Sequence, residues 1–415
     1  MNTSVSSPII DTTPPPGPSP KGGLRAALST PAGRVLLILW LAVAGVGIWG
    51  VVERLTSGHT GAGYGSYVPW GLWVAMYFHL VGLAGGTFVL GALGFMFRWK
   101  GFERLAALRT TIVLSIALIL PAFIGVWLDL GRLGRAYRIF ASPSFTSMMA
   151  FNAWMYTGFI VVALVALWLT YRKRSSWLRP VLALGVLLSL AFPSQSGAFF
   201  GVIDAKPYWN SALLPFLFLV SAIVAGAALL LVVRYLQGRY EFTAWDQGAT
   251  DNWEAAVGRL RMVTLAGIVV YLVLEFAEIS IGFWSPVADA PGLELMLWGA
   301  YWWVFWIVHV LFGALIPIVL LATRRKVLWM VAGALTAVAF VSARLNILIP
   351  GQTLSELKGL NEAFYHERLV FDYKATWEEY LVALFLVAVA ATLFYLGVWA
   401  TASISERRRT QGGAS

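Results

Sequence analysis

Few residues in this chain are equipped for chemistry, and their positions are uneven. Asp129 ends the uncharged run 110–128, within Leu128-Asp129-Leu130-Gly131-Arg132, with Arg135 and Arg138 just beyond. A run of that length crosses a bilayer. The carboxylate is therefore either charge returning where a helix leaves lipid, or a group that handles a proton at a redox site by the membrane edge. Glu275 and Glu278 lie inside another apolar run, three residues apart, so they share one helix face. Like charges that close do not both ionise comfortably, so one is expected to keep its proton or to pair with Arg344. Such a group is an internal tie between spans or part of a proton route. His79 and His309 each stand alone in long apolar runs, and Asn152, Gln195 and Ser196 lie near span ends. A charged side chain inside a span costs on the order of 2.5–3.5 kcal/mol on insertion scales, so such residues mark a pathway or a site.

The elements that must hold these groups are membrane helices. Hydrophobic residues make up 59% of the 415 and charged residues 12%, with a mean hydropathy of +0.75. A soluble domain is about a quarter charged. Uncharged runs of about twenty residues recur, which excludes a β-barrel, whose strands are short and alternate. The fold class is an all-α integral membrane protein. Ten spans are expected, at about 35–52, 69–97, 110–128, 147–171, 180–196, 211–233, 262–283, 295–323, 327–343 and 380–402. Residues 1–33, rich in Pro, Ser, Thr and Gly, read as a disordered cytoplasmic tail without the apolar stretch of a cleaved signal peptide. Residues 403–415 read as a second cytoplasmic tail, and 34–402 as one transmembrane domain. Gly82 and Gly86, four apart within the second span, read as a close helix contact rather than a phosphate loop.

Basic residues set the orientation. With the N-terminus inside, the connections after even spans hold groups such as Arg98-Trp99-Lys100, Arg172-Lys173-Arg174 and Arg324-Arg325-Lys326, and most of the 30 lysines and arginines fall inside. Both termini are then cytoplasmic, and the net charge of +10 reflects basic cytoplasmic loops rather than nucleic-acid binding. Asp129, Gln195, Ser196, Glu278, Arg344 and Asn346 gather towards the outer face, and Asn152 lies in the outer part of the fourth span. His79 lies roughly 14 Å and His309 roughly 21 Å below the outer ends of their spans at the helical rise. The inner half holds only scattered Ser and Thr. The connection 234–261, with Trp245, Asp246, Asp251 and Trp253, reads as a surface helix or loop. The longest outer connection, 344–378, reads as a lid or docking surface.

Three chemistries compete. The chain has no cysteine, so any iron–sulfur cluster with thiolate ligands belongs to a partner. Of its four histidines, His59 and His366 fall in loops, leaving His79 and His309 for at most one bis-histidine haem. Packing or proton handling is the simpler role for each, and no haem is expected. Transporters favour polar sites at the midplane on broken helices. Here the polar groups lie to the outer side, so ion or proton transport is the alternative reading, beside a purely structural anchor. Quinone chemistry needs hydrogen-bond partners and a proton acceptor near the interface. Asp129 and His79 could move protons, with Gln195, Asn152, Trp70, Ser196 and Arg132 around the head group. Glu275, Glu278, Arg344 and His309 form the possible route or tie.

Four short motifs carry a resemblance. Pro69-Trp70-Gly71 opens the second span, Asp129-Leu130-Gly131-Arg132 follows the third, Ser194-Gln195-Ser196 closes the fifth and Thr376-Trp377-Glu378-Glu379 opens the last. In this order and at these span ends, over about residues 35–402, the chain resembles the NrfD/PsrC-like membrane subunits of polysulphide-reductase-type complexes. It is most similar to the ten-span branch that includes HybB-type hydrogenase subunits. It departs from relatives at Pro193, where a histidine is common, and near Met76-Tyr77, where an acidic residue is common. The resemblance implies two four-helix bundles, about 69–196 and 211–343, with a flanking helix at each end of the chain. It implies a menaquinone or ubiquinone pocket in the first bundle near Asp129, and residence in a bacterial or archaeal cytoplasmic membrane. It also implies a ferredoxin-like iron–sulfur partner on the outer face, with a further molybdopterin or nickel–iron catalytic subunit.

Overall fold

The computed structural model describes residues 31–412 apart from 173–174, 241–251, 285–289, 356, 358, 364–365 and 367–368. Most of the expected N-terminal tail, the end of the C-terminal tail, and Trp245, Asp246 and Asp251 lie outside the described residues. Among those described, all regular structure is helical, and ten helices are long and apolar enough to cross a membrane. In order they are Gly33–Ser57, Leu72–Met96, Leu105–Asp129, Met148–Leu169, Leu178–Gly201, Leu214–Arg239, Trp253–Trp284, Val304–Ala322, Lys326–Thr353 and Trp377–Arg408.

The second, third, fourth and fifth spans pack in a ring, each touching the next and the fifth returning to the second. The sixth to ninth form another ring in the same way. The second span is the most deeply buried of the ten, because the sixth covers its free side. That seam depends on glycine: a β-carbon on Gly86 would fall 2.0 Å from the Ala222 carbonyl oxygen, and one on Gly226 would fall 2.5 Å from the Gly86 backbone. The Gly82–Gly86 pair is therefore a close contact between the rings, as small residues in spans usually are. The first and tenth spans pack along each other, and the tenth lies against the third, so both extra helices flank the first ring. In the half of the third span away from Asp129, Thr110, Thr111 and Ser115 donate to carbonyls of their own helix, at 3.2, 2.9 and 3.1 Å, and Ser115 Oγ also lies 2.9 Å from Thr87 Oγ1 of the second span.

Two spans depart from the expected course. The ninth does not end near residue 343. It breaks at Phe340 and resumes as Val341–Thr353, so Arg344 and Asn346 lie inside a helix and the following connection is shorter than expected. Arg344 can stay there because its guanidinium lies 4.0 Å from the Phe218 ring centre and its Nη2 donates to the Phe218 carbonyl at 3.1 Å. The eighth span starts later than expected, at Val304, behind a separate helix Ala290–Leu297, and Val304–Leu315 is a π-helix. Such wider turns are uncommon and collect at functional positions.

Candidate functional site

The first ring encloses a cavity of about 580 Å³ at the Asp129 end. It lies between the second, third and fourth spans, under the short helix Arg138–Ala141, with Phe199 of the fifth on one side. Trp70, two residues before the second span, lines it together with Val74, Tyr77 and Phe78, which recur with helical spacing and so share one face of that span. Asn152, Ala153 and Tyr156 do the same on the fourth. Most of the wall is apolar. Trp127, Phe140 and Met149 line it too and are 39%, 53% and 49% exposed, so the cavity opens sideways, towards lipid. The third and fourth spans meet over less of their length than the other neighbours in the ring, which leaves this gap.

The polar groups at the cavity divide into satisfied and unsatisfied. Ser196 donates its only hydroxyl proton to the Phe192 carbonyl at 2.8 Å. The Tyr156 hydroxyl, 2.8 Å from Ser196 Oγ, must therefore be the donor in that pair. Tyr77 packs edge-on against the Tyr156 ring, with centres 6.0 Å apart. The Tyr156 and Ser196 hydroxyls form a one-way chain that ends on the backbone. Asp129 Oδ1 and Asn152 Oδ1 are different: both are buried and have no hydrogen-bond partner. A buried acceptor left unpaired costs about 1–3 kcal/mol, so this end of the cavity favours a ligand that donates.

Trp70 is fixed from outside the ring. Its backbone N–H and C=O exchange hydrogen bonds with the Gln352 side chain at 2.9 and 3.0 Å, and its ring stacks on Trp209 with centres 6.2 Å apart. Behind Asp129, Arg54 of the first span donates to the carbonyls of Leu128 and Leu130 at 2.8 and 3.0 Å. Glu379 of the tenth span accepts from Gly63 N at 2.9 Å, Leu72 N at 2.9 Å and the Tyr373 hydroxyl at 2.5 Å. This carboxylate thereby holds the start of the second span, whose first amides have no partner within their own helix. Burial, and then the nearby Glu379, push the Tyr373 phenol well above its ordinary range, so it remains a donor to that carboxylate.

Of the residues singled out in the sequence, Asp129, Trp70 and Asn152 come together on the cavity wall. Ser196 stands one layer behind, through Tyr156. His79, Gln195 and Arg132 are not part of the lining. His79 is buried and its Nε2 lies 2.8 Å from the Ala337 carbonyl oxygen, so it ties the second span to the ninth. Arg132 is exposed, past the end of the third helix. Tyr77, Tyr156 and Phe123 line the site without having been singled out. Tyr156 was within reach of sequence reasoning, because it follows Asn152 by four residues and must share its helix face.

The remaining polar residues form a separate group in the second ring. His309, in the π-helix, has Nδ1 3.1 Å from Ser342 Oγ and Nε2 3.1 Å from Glu275 Oε2. Ser342 gives its proton to the Ala339 carbonyl, so His309 must donate from Nδ1. The partner of Glu275 is thus His309 and not Arg344: the ninth helix carries the guanidinium to the Phe218 carbonyl instead. Glu278 accepts from Ser211 at 2.7 Å. Glu275, Glu278, Tyr208, Tyr271 and Asn346 line a small chamber of about 50 Å³, where neither amide atom of Asn346 has a partner.

Residues 62–356 match the family described as "Polysulphide reductase, NrfD". The chain is similar to a selenate reductase subunit of Mesobacillus selenatarsenatis, at 25% identity over 86% of this chain and 91% of that protein. It is similar to the Hdr-like menaquinol oxidoreductase integral membrane subunit of Archaeoglobus fulgidus, at 27% identity over 90% of this chain and 94% of the other. Protein NrfD of Escherichia coli is 25% identical over 60% of this chain and 83% of its own length.

Proposed function

The chain belongs to the polysulphide reductase NrfD family, and from that footing we propose that it is the quinone-reactive membrane subunit of a respiratory oxidoreductase complex. One observation carries the reading: an apolar cavity, open to lipid, ends on two buried acceptors without partners, Asp129 Oδ1 and Asn152 Oδ1. A hydroquinone fits that arrangement. Its hydrophobic tail suits the lipid-side mouth, its ring suits a wall of Trp70, Phe78 and Phe123, and its two O–H groups suit the two acceptors. Oxidation to the quinone releases two protons and two electrons. Asp129 is the proton acceptor, Asn152 holds the second hydroxyl, and the Tyr156–Ser196 hydrogen bond, with Tyr77 packed edge-on against Tyr156, stiffens the wall between them.

The electrons need a carrier outside this cysteine-free chain. An iron–sulfur partner docked on the Asp129 face fits that need, with a catalytic subunit beyond it. The basic-residue bias makes this the outer face of a bacterial or archaeal cytoplasmic membrane. The name of the Archaeoglobus relative favours menaquinone over ubiquinone. His79 takes a structural part as the tie between rings.

The test is Ala153→Trp, which fills the cavity from the fourth span. It is expected to abolish binding of a quinone-analogue inhibitor, read by fluorescence quenching, while the complex still assembles. Unchanged binding refutes the reading. A second reading, proton translocation, is favoured by the His309–Glu275 pair on its π-helix. Protons released to the outside equal to electrons transferred support the first reading alone, and any excess supports the second.

A further inference from the structure

Trp70 stands where its own chain cannot hold it. It lies just after Pro69, in a stretch without regular structure, and the backbone bond that opens the second span runs from Ala75 to Gly71, one residue further on. The N–H and C=O of Trp70 therefore have no helical partner, and backbone groups held away from water are nearly always paired with something. Here the partner is a single side chain on the other ring. Gln352 Oε1 accepts from Trp70 N at 2.9 Å, and Gln352 Nε2 donates to the Trp70 carbonyl at 3.0 Å. Nε2 also donates to the Leu348 carbonyl of the ninth span at 3.0 Å, so the amide is oriented by its own helix before it meets Trp70. Gln352 is 2% exposed. An acceptor and a donor side by side are what a carboxamide offers and an apolar side chain of that length does not.

The two residues before Gln352 supply a second support. Pro350 has no N–H, so the Asn346 carbonyl, four residues back in the same helix, loses its usual partner. The Tyr208 hydroxyl, from the connection between the fifth and sixth spans, donates to it at 2.7 Å. Trp209 Nε1 donates to the next carbonyl, that of Ile347, also at 2.7 Å. Gly351 makes room for that indole: a β-carbon there would fall 2.1 Å from Trp209 Nε1. Trp209 is buried, and its ring stacks on that of Trp70 with the planes 26° apart. Pro350-Gly351-Gln352 is thus a socket on the ninth span that holds Trp70 twice, by its backbone and through Trp209. Trp70 lines the cavity, whereas Gln352, Gly351 and Trp209 stand behind it.

We propose that this socket sets the affinity of the first ring's cavity for quinone, with Gln352 as the positioning residue that holds Trp70 at the wall. The inference rests on the quinone reading of the cavity. It goes further in making one wall of that site depend on the second ring: Trp70 meets the head group, and a helix that the head group does not touch fixes where Trp70 stands. A flat aromatic ligand gains most from a wall whose rings are already in place, because no side chain has to be ordered on binding. Without the Gln352 amide, Trp70 keeps its chemistry and loses its place.

The experiment uses the intact complex, with quinol and an artificial electron acceptor. Gln352→Met keeps the length of the side chain and removes both bonds to Trp70. It is expected to raise the quinol KM and the Kd of a quinone analogue about tenfold, equivalent to about 1.4 kcal/mol, while kcat at saturating quinol changes much less. Gln352→Glu, which keeps an acceptor for the Trp70 N–H, should fall between Gln352→Met and wild type. Gly351→Ala displaces Trp209 instead and should raise the same two constants with Gln352 intact, so it remains informative if Gln352→Met does not assemble. Wild-type KM and Kd in an assembled Gln352→Met or Gly351→Ala complex overturn the socket. A fall in kcat with KM and Kd unchanged also overturns it, as does failure of both variants to assemble, because these residues then hold the fold and not the place of Trp70. Failure of the quinone reading shows separately, as a wild-type complex that binds no quinone analogue.

Discussion

Asp129→Asn separates the two meanings of a carboxylate at a helix end. The substitution keeps shape and hydrogen-bonding reach but removes the ability to take a proton. If Asp129 is the base for quinol oxidation, kcat is expected to fall by about 10²–10⁴, the usual worth of a positioned general base. That is about 2.7–5.5 kcal/mol in barrier height. If Asp129 were a structural anchor, the damage would show in folding instead. The structure gives a reason to expect little of that. Arg54, the cation nearest to hand, directs its hydrogen bonds to the Leu128 and Leu130 carbonyls and to His59. The junction of the first and third spans is therefore held by backbone acceptors, which the amide leaves in place. The assay is steady-state quinol oxidation by the purified complex, beside inhibitor titration and a check that the partner proteins still co-purify. Turnover within about twofold of wild type, or loss of assembly together with inhibitor binding, refutes the reasoning.

Other substitutions test the frame around the site. Glu379→Ala removes the acceptor of three amides and a phenol at a residue with no exposure, and should cost roughly 4 kcal/mol, seen as a lowered melting temperature in detergent. His309→Ala removes the ion-pair partner of Glu275 in the seventh span, leaving it only the Tyr271 hydroxyl at 3.3 Å, and should cost about 3 kcal/mol, with part of the loss recovered in the Glu275→Leu, His309→Ala double variant; a double variant as unstable as the single one would show that the histidine matters for packing alone. Gly226→Val forces the second and sixth spans apart and should cost about 3 kcal/mol, whereas Gly131→Ala, which meets nothing within 4 Å, should leave the melting temperature unchanged.

Much of the frame was legible in the sequence because a membrane span is written in length and absence of charge. All ten spans could be read that way, and counting directions along the chain put Asp129 and Asn152 near the same face. The same rule failed at Arg344. Charge normally ends a span, but here Phe218 supplies both a ring face and a carbonyl, and the helix continues to Thr353. His79 was misleading for a related reason. A histidine in a span needs a polar partner, and sequence does not say that the partner is the backbone of the ninth helix, at Ala337. The cavity's tyrosines were hidden among interfacial aromatics, since Tyr77 and Tyr156 differ from belt residues only in what they face.

The two rings share a topology and divide the chemistry between them. Both place polar side chains in the half of the membrane nearer Asp129, but the first surrounds a large apolar cavity and the second a chamber about a tenth as large. The difference follows from local sequence. In the first ring, aromatic side chains face inwards at helical spacing, and a short helix props the third and fourth spans apart. In the second, the π-helix turns His309 onto Glu275, and the break at Phe340 brings Ser342 and Arg344 inwards, so side-chain contacts fill the space a ligand would need. Arg344 lies between the two: its guanidinium sits 4.0 Å from the Phe218 ring centre of the sixth span, and a β-carbon on Gly82 of the second would fall 3.2 Å from its Nη2, so the seam between the rings is built around a buried cation and two close-packed spans rather than a shared cavity.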